Sequence, residues 1–224
     1  MTTIYLVRHC EAYGNIARVF QGHIDSDISD NGAVQLQRLA ERFRDIPLDA
    51  VYSSPLRRAR KTAEAINTYH HLPIALDDDL MEINGGRWEG QLWAELPALY
   101  PEESEHWAHR PWMFAPADGE PMTAVYARMA RALTSIAAAH PAQTVAVASH
   151  GCAIRNALCW AKGWPIERLG EVAWCDNTAV TVLELDEKLA PRVICENDNS
   201  HLDSEVSTLE KQNWWRDDAV SRFE

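Results

Sequence analysis

Along this chain, compact apolar runs alternate with longer stretches in which apolar residues return every three or four positions. Residues 4–7 (IYLV) form the first run, short and bounded by polar positions, the pattern of a buried strand. From Ser29 the period changes. Leu36, Leu39, Ala40 and Phe43 stand at i, i+3, i+4 and i+7, which predicts an amphipathic helix. Residues 49–53 (DAVYS) predict a second strand, and Ser54-Pro55 reads as a helix N-cap followed by proline at the first helical position. Ala59, Ala63 and Ile66 then lay a narrow apolar stripe along that helix. A short strand is expected at 73–76, a long helix at 123–139, and the clearest buried strand at 144–149 (TVAVAS), with a helix opening at Gly151. Residues 178–185 and 191–195 predict two last strands, a hairpin around Asp186-Glu187. Residues 87–120 have no clear period; they carry four of the nine tryptophans, at 88, 93, 107 and 112. The tail beyond Glu196 is polar, with Trp214-Trp215 available to dock it. Strands alternating with helices predict a mostly parallel sheet covered on both faces. Such sheets bind ligands beyond the carboxyl ends of their strands.

Those strand ends carry the chemistry. The first delivers Arg8, His9 and Cys10; the second delivers Ser53-Ser54 and a helix bearing Arg57 and Arg58. The TVAVAS strand ends in His150-Gly151, and the 73–76 strand leads through an acidic run to Glu82. Taken singly, each has an ordinary explanation: a hydrogen-bonded structural histidine, a solvated arginine, a solvated acidic loop. Together they make a site for a doubly charged oxyanion, because arginine matches phosphate with a planar fork. Helix starts near Pro55 and Gly151 would add unpaired N–H groups. A histidine inside such a cradle permits phosphoryl transfer to its ring, if the attacking nitrogen is neutral and an acid protonates the leaving oxygen. Glu82 is the candidate acid.

Five stretches resemble the histidine phosphatase superfamily, which includes cofactor-dependent phosphoglycerate mutase. They are LVRHCEAYGN (6–15), FQGHIDSDISDNG (20–32), SSPLRRARKTA (53–63), LMEINGGRWEG (80–90) and ASHGCAIR (148–155), in family order. The resemblance implies a three-layer α/β/α sandwich with a mostly parallel central sheet. It implies one domain over residues 1–224, with a lid or substrate-specificity segment at about 87–122. His9 would be the nucleophile that becomes phosphohistidine, and Glu82 the acid and then the base. Arg8, Asn15, Arg58 and His150 would bind the phosphate. Arg58 is preferred to Arg57 because it immediately precedes Ala59, as in the family pattern. Arginines would neutralise the charge, so no metal or cofactor is expected.

The chain departs from that family at Cys10, where glycine usually follows the nucleophile, and at Cys152. Two small tolerated side chains explain this most simply. A cysteine-based phosphatase would need arginine at position 16, which is Ile16, with Arg18 two places off. A zinc site from His9, Cys10, His150 and Cys152 has suitable residue types but needs adjacent side chains to point at one ion.

Composition narrows the class. A formal net charge of −12 argues against nucleic-acid or anionic-membrane binding, and no apolar run approaches a membrane span. Five cysteines without a CxxC pair, and no apolar leader, predict a cytoplasmic protein with free thiols. The expected partner is a small phosphorylated substrate; monomer and homodimer are both open. A mutase must hold a second phosphate, yet residues 88–120 offer Arg110 alone against seven acidic residues. Hydrolysis of a phosphate monoester is therefore expected, with a mutase or a weakly active phosphate-ligand sensor as alternatives. Tryptophans such as Trp93 and Trp112 would roof the substrate or simply pack.

Overall fold

Alternating side chains of one strand divide the core in two. In β1 (Thr2–Arg8), Ile4 and Leu6 join one apolar cluster while Tyr5 and Val7 join another on the opposite face. The computed structural model describes residues 1–211. Its elements follow in the order β1, α1 (Tyr13–Ile16), α2 (Asp30–Phe43), β2 (Ala50–Ser53), α3 (Arg57–Ile66), β3 (Ile74–Leu76), α4 (Leu96–Leu99), α5 (Pro101–His109), α6 (Met122–Ala139), β4 (Thr144–Ser149), α7 (Gly151–Ala161), β5 (Val180–Leu185), β6 (Pro191–Asp198) and α8 (Thr208–Lys211). The six strands form one sheet in the order β3-β2-β4-β1-β5-β6. β3, β2, β4 and β1 run parallel; β5 and β6 are antiparallel to their neighbours.

Helices α2 and α3 cover one face through Leu39, Phe43 and Ile66. Helices α6 and α7 cover the other through Met129, Leu133, Ala153 and Leu158. The result is a three-layer α/β/α sandwich. Ser29 caps α2 by accepting the Gly32 N–H, and the predicted stripe of that helix is the one it buries. Among the described residues no helix is long and apolar enough to cross a membrane.

Two expectations need correction. Helix α3 begins at Arg57 behind an extended Leu56, two residues later than the Ser-Pro pair suggests. Ser54 continues the strand, donating its N–H to Ala148 O, and its hydroxyl is spent on His150. The last hairpin starts at Val180, not Thr178, because Thr178 sits at φ +58° and turns the chain back beneath Arg8. The described part of the polar tail docks by hydrogen bonds. Thr208 donates to buried Glu11, Ser207 donates to buried Asp176, and Asn31 and Gln35 hold Val206 O. Trp214-Trp215 lie outside the described residues.

Residues 87–120 resist a periodic reading because prolines at 97, 101 and 111 divide them into short pieces. What binds those pieces is an aromatic cluster. Trp88, Phe114, Trp107 and Phe20 contact one another at ring-centroid distances of 4.7–5.9 Å.

Candidate active site

Register places the two histidines. Arg8 at the end of β1 pairs with Ser149 at the end of β4, so His9 and His150 leave adjacent strands at the same level. Their rings stand 5.1 Å apart, centroid to centroid. β2 pairs with β4 one strand further out, which sets Ser54 beside His150; the Ser54 hydroxyl lies 2.8 Å from His150 Nε2.

The His9 ring is buried. Its Nδ1 lies 2.6 Å from the carbonyl of Cys10, a geometry that requires Nδ1 to donate. The proton is therefore on Nδ1, and Nε2 keeps its lone pair. Burial, reinforced by Arg58 and then Arg8, pushes His9 well below the ordinary histidine value of 6.5. The ring is neutral and basic only at Nε2. His150 is also buried and also held low, first by burial and then by Arg58.

Two arginines flank this ring without carboxylate ion pairs among the described residues. Arg8 is 6% exposed and donates one Nη1 to Cys175 O. Arg58 is 1% exposed and donates Nη1 and Nη2 to the carbonyls of Ile24 and Gly22, each at 2.8 Å. Burial draws the Arg58 guanidinium down to about 10, against the pull of Glu82. In both residues Nε is buried without a partner among the described residues, as is His150 Nδ1. Buried polar groups are normally satisfied, and the two arginine Nε–H groups are donors suited to an anion. Gly151 permits the arrangement: a Cβ there would stand 3.3 Å from Arg8 Nε. Arg57, by contrast, is on the surface beside Asp25 and Asp27.

An anion that satisfies these groups should stabilise the fold. Orthovanadate at about 100 times its Kd is expected to add about 2.7 kcal/mol, or about 5–10 °C in Tm. Thermal unfolding of Arg58→Gln should show little of that shift; an equal shift in the variant would place the anion elsewhere.

Carboxylates take several of the helix-opening N–H groups. The Arg57 N–H at the start of α3 is taken by Asp25. At the start of α7 the N–H groups of Cys152 and Ala153 donate to the two oxygens of Glu82, each at 3.1 Å. The dipole end of α7 thus holds the carboxyl that borders the same cavity as His9, Arg8 and Arg58. Asn15 also borders it, its Oδ1 accepting the Ala12 N–H at the start of α1. His150 stands behind His9, wholly buried. His150 packs its ring against that of His9 without bordering the cavity; the other five residues singled out in the sequence, Arg8, His9, Asn15, Arg58 and Glu82, line it.

Cys10 does not. Its N–H donates to Thr62 Oγ1, its Sγ lies 4.0 Å from Arg58 O on the α3 side, and burial pushes the thiol up to about 12. Cys10 is not among the left-handed residues, so its backbone does not require glycine. Cys152 Sγ rests 3.5 Å from Met122 Sδ. The four donors of the zinc reading diverge, and among the described residues no cluster of His, Cys, Asp and Glu is disposed to hold a metal. Cys10→Ala should keep kcat/KM within about 3-fold at a cost of about 1 kcal/mol. Inactivation by iodoacetamide in proportion to Cys10 labelling would contradict this.

Other cavity residues were not singled out. Arg18, Gln21, Trp107 and Trp174 join Trp93 on its wall, whereas Trp112 lies outside it. Arg18 comes within reach because it adopts φ +54°, which no local pattern announces. Arg128 had a visible signal: it falls within the apolar stripe of Val125, Met129 and Ala132. Glu120 pairs with Arg128 at 2.7 Å and does not line the cavity.

Comparison with known proteins agrees with this geometry. A model of the histidine phosphatase superfamily (branch 1) matches residues 4–198. Phosphoserine phosphatase 1 of Hydrogenobacter thermophilus is 33% identical over 188 residues, 84% of this chain and 89% of the relative. A metal-independent phosphoserine phosphatase of Arabidopsis thaliana is 35% identical over 159 residues, covering 69% of this chain and 66% of the relative. The solved structure of Bacillus stearothermophilus YhfR superposes with a TM-score of 0.86 at 33% identity, over 91% of this chain and all of that one.

Proposed function

From the premise that this chain belongs to the histidine phosphatase superfamily and is a metal-independent phosphatase, we propose that it hydrolyses a small-molecule phosphate monoester through a phosphohistidine on His9. In the first step His9 Nε2 attacks phosphorus, the bond to the ester oxygen breaks, and Glu82 gives its proton to that oxygen. Arg8, Arg58 and His150 face the oxygens on which charge spreads. In the second step Glu82 takes a proton from water, the water oxygen bonds to phosphorus, and the P–N bond breaks. Inorganic phosphate leaves and His9 is again neutral.

One observation supports this reading: a neutral buried imidazole whose Nε2 carries the lone pair shares a cavity with two buried arginines whose Nε atoms have no partner among the described residues. Hydrolysis is favoured over mutase chemistry by the segment beyond Glu82. Its arginines are already engaged, Arg87 with Glu103 at 2.6 Å and Arg110 with Glu105 at 3.6 Å. Five unpaired cysteines fit a cytoplasmic setting.

A phosphate-release screen over metabolite monoesters, phosphoserine first because the relatives are named for it, should find turnover that EDTA leaves intact. Rapid quench of substrate labelled in its phosphoryl group into alkaline denaturant should trap a phosphoenzyme that is stable to base and lost on later acid treatment. Full activity with no trapped species would overturn the covalent route. In the same screen Trp93→Ala should reorder substrates by more than it lowers Tm. Uniform loss tracking Tm would assign Trp93 to the cluster it shares with Phe20, Trp88 and Trp107.

A further inference from the structure

The geometry points to Arg128 as a positioning residue for Glu82, holding the backbone of the loop that presents the acid. The inference rests on the phosphatase reading above, in which Glu82 is the proton donor. Arg128 projects from the buried side of α6 and is 8% exposed. Nη1 donates to Asp79 O at 2.7 Å and to Met81 O at 2.6 Å. Nη2 donates to Glu82 O at 3.1 Å and to Glu120 Oε2 at 2.9 Å, and Nε donates to Glu120 Oε1 at 2.7 Å. All five N–H groups of the guanidinium are spent, three of them on main-chain carbonyls within one four-residue stretch.

That stretch needs such a holder. Between β3 and α4 the chain has only single helical turns, so its carbonyls lack ladder partners. Glu120 extends the clamp: it accepts the Asn84 N–H at 3.4 Å, and its own N–H donates to Asn84 O at 2.8 Å. His23 Nε2 meets Glu82 O from the other side at 2.8 Å. The Glu82 carboxyl is fixed by the amides of α7 while its backbone is fixed from α6. Proton donation is sensitive to small displacements, so a loosened loop costs rate without touching the phosphate cradle. Lysine at 128 has three donors and no planar fork, and cannot reproduce the five bonds.

The test compares leaving groups. An alkyl phosphate needs its departing oxygen protonated; p-nitrophenyl phosphate, with a weakly basic leaving oxygen, needs this far less. Arg128→Lys should lose about 10–100-fold more kcat/KM on the alkyl ester than on the aryl ester. Orthovanadate affinity should stay within about 3-fold, because Arg8 and Arg58 are untouched. Equal loss on both esters, or loss that follows vanadate affinity, would overturn the inference. Glu120→Gln provides the second variant if Arg128→Lys does not fold; it should show the same discrimination, smaller, and a flat response there also overturns it. Glu82→Gln is the reference. If it discriminates and the Arg128 and Glu120 variants do not, the positioning role fails alone. If Glu82→Gln is itself flat, the assignment of Glu82 as proton donor fails, and the role of Arg128 with it.

Discussion

His9→Ala is expected to lower kcat/KM by roughly 10⁵-fold or more while the protein stays folded and still binds inorganic phosphate. The size follows from the lack of a substitute nucleophile. Cys10 is turned toward α3 with its thiol pushed up to about 12. Cys152 is also buried and held well above the ordinary thiol value. Ser54 Oγ is engaged with His150 Nε2 and with the Leu56 N–H. No phosphoenzyme should be trapped in the variant. Residual turnover near 1% of wild type, with a trapped intermediate, would show that another side chain carries the phosphoryl group.

The same histidine sets the pH behaviour. Burial and the neighbouring arginines depress His9 below 6.5, so the ring stays unprotonated as pH falls past that value. The acid limb of kcat/KM due to this group is therefore expected below pH 6.5. Stability moves with the opposite partner of the equilibrium. In the unfolded chain these histidines take up protons near 6.5, while folded His9 and His150 do not. Their contribution to folding is complete above the unfolded value and shrinks as pH falls below it. Urea unfolding at about pH 8 and about pH 5.5 should show the lower midpoint at the acid condition.

Glu82→Gln is the second large effect, a loss of about 10²–10⁴-fold on alkyl phosphates. Glutamine has the same shape, and its single carbonyl oxygen can keep the Ala153 and Ile83 N–H groups, but its amide would meet the Cys152 N–H donor to donor, so a stability loss of about 1–3 kcal/mol is expected beside the rate effect. What it cannot do is give up a proton to the leaving oxygen or take one from water. With p-nitrophenyl phosphate the first step should survive and the second should slow. A burst of p-nitrophenol followed by accumulation of phosphorylated His9 is the expected record. A proportional loss on both ester types, with no burst, would remove Glu82 from the reaction.

Much of this site could be found before any coordinates, and for a local reason. Arg8, His9, Arg58, Glu82 and His150 each stand at or just beyond the carboxyl end of a strand, and a strand end is marked by a short apolar run that stops. Parallel pairing then brings such ends together. Arg18 and Trp174 carry no such mark. One reaches the cavity through a left-handed backbone, the other from an irregular loop after α7. That carboxylates take some of the helix-opening N–H groups was not legible, because an N–H group is indifferent to which carboxylate or phosphate it meets. Asp25 and Glu82 engage them, and both come from distant parts of the chain.

Local sequence specified the strands, the paired helices and the identity of the titrating groups, since hydrophobic period and side-chain chemistry act over a few residues. Long-range folding settled which of those groups lost their water and which were clamped from behind. The His9 tautomer is set by the carbonyl of the next residue, but desolvation and the grip of Arg128 on the Glu82 loop are not local: Arg128 reaches carbonyls 46 or more positions away, and no short window along the chain contains them.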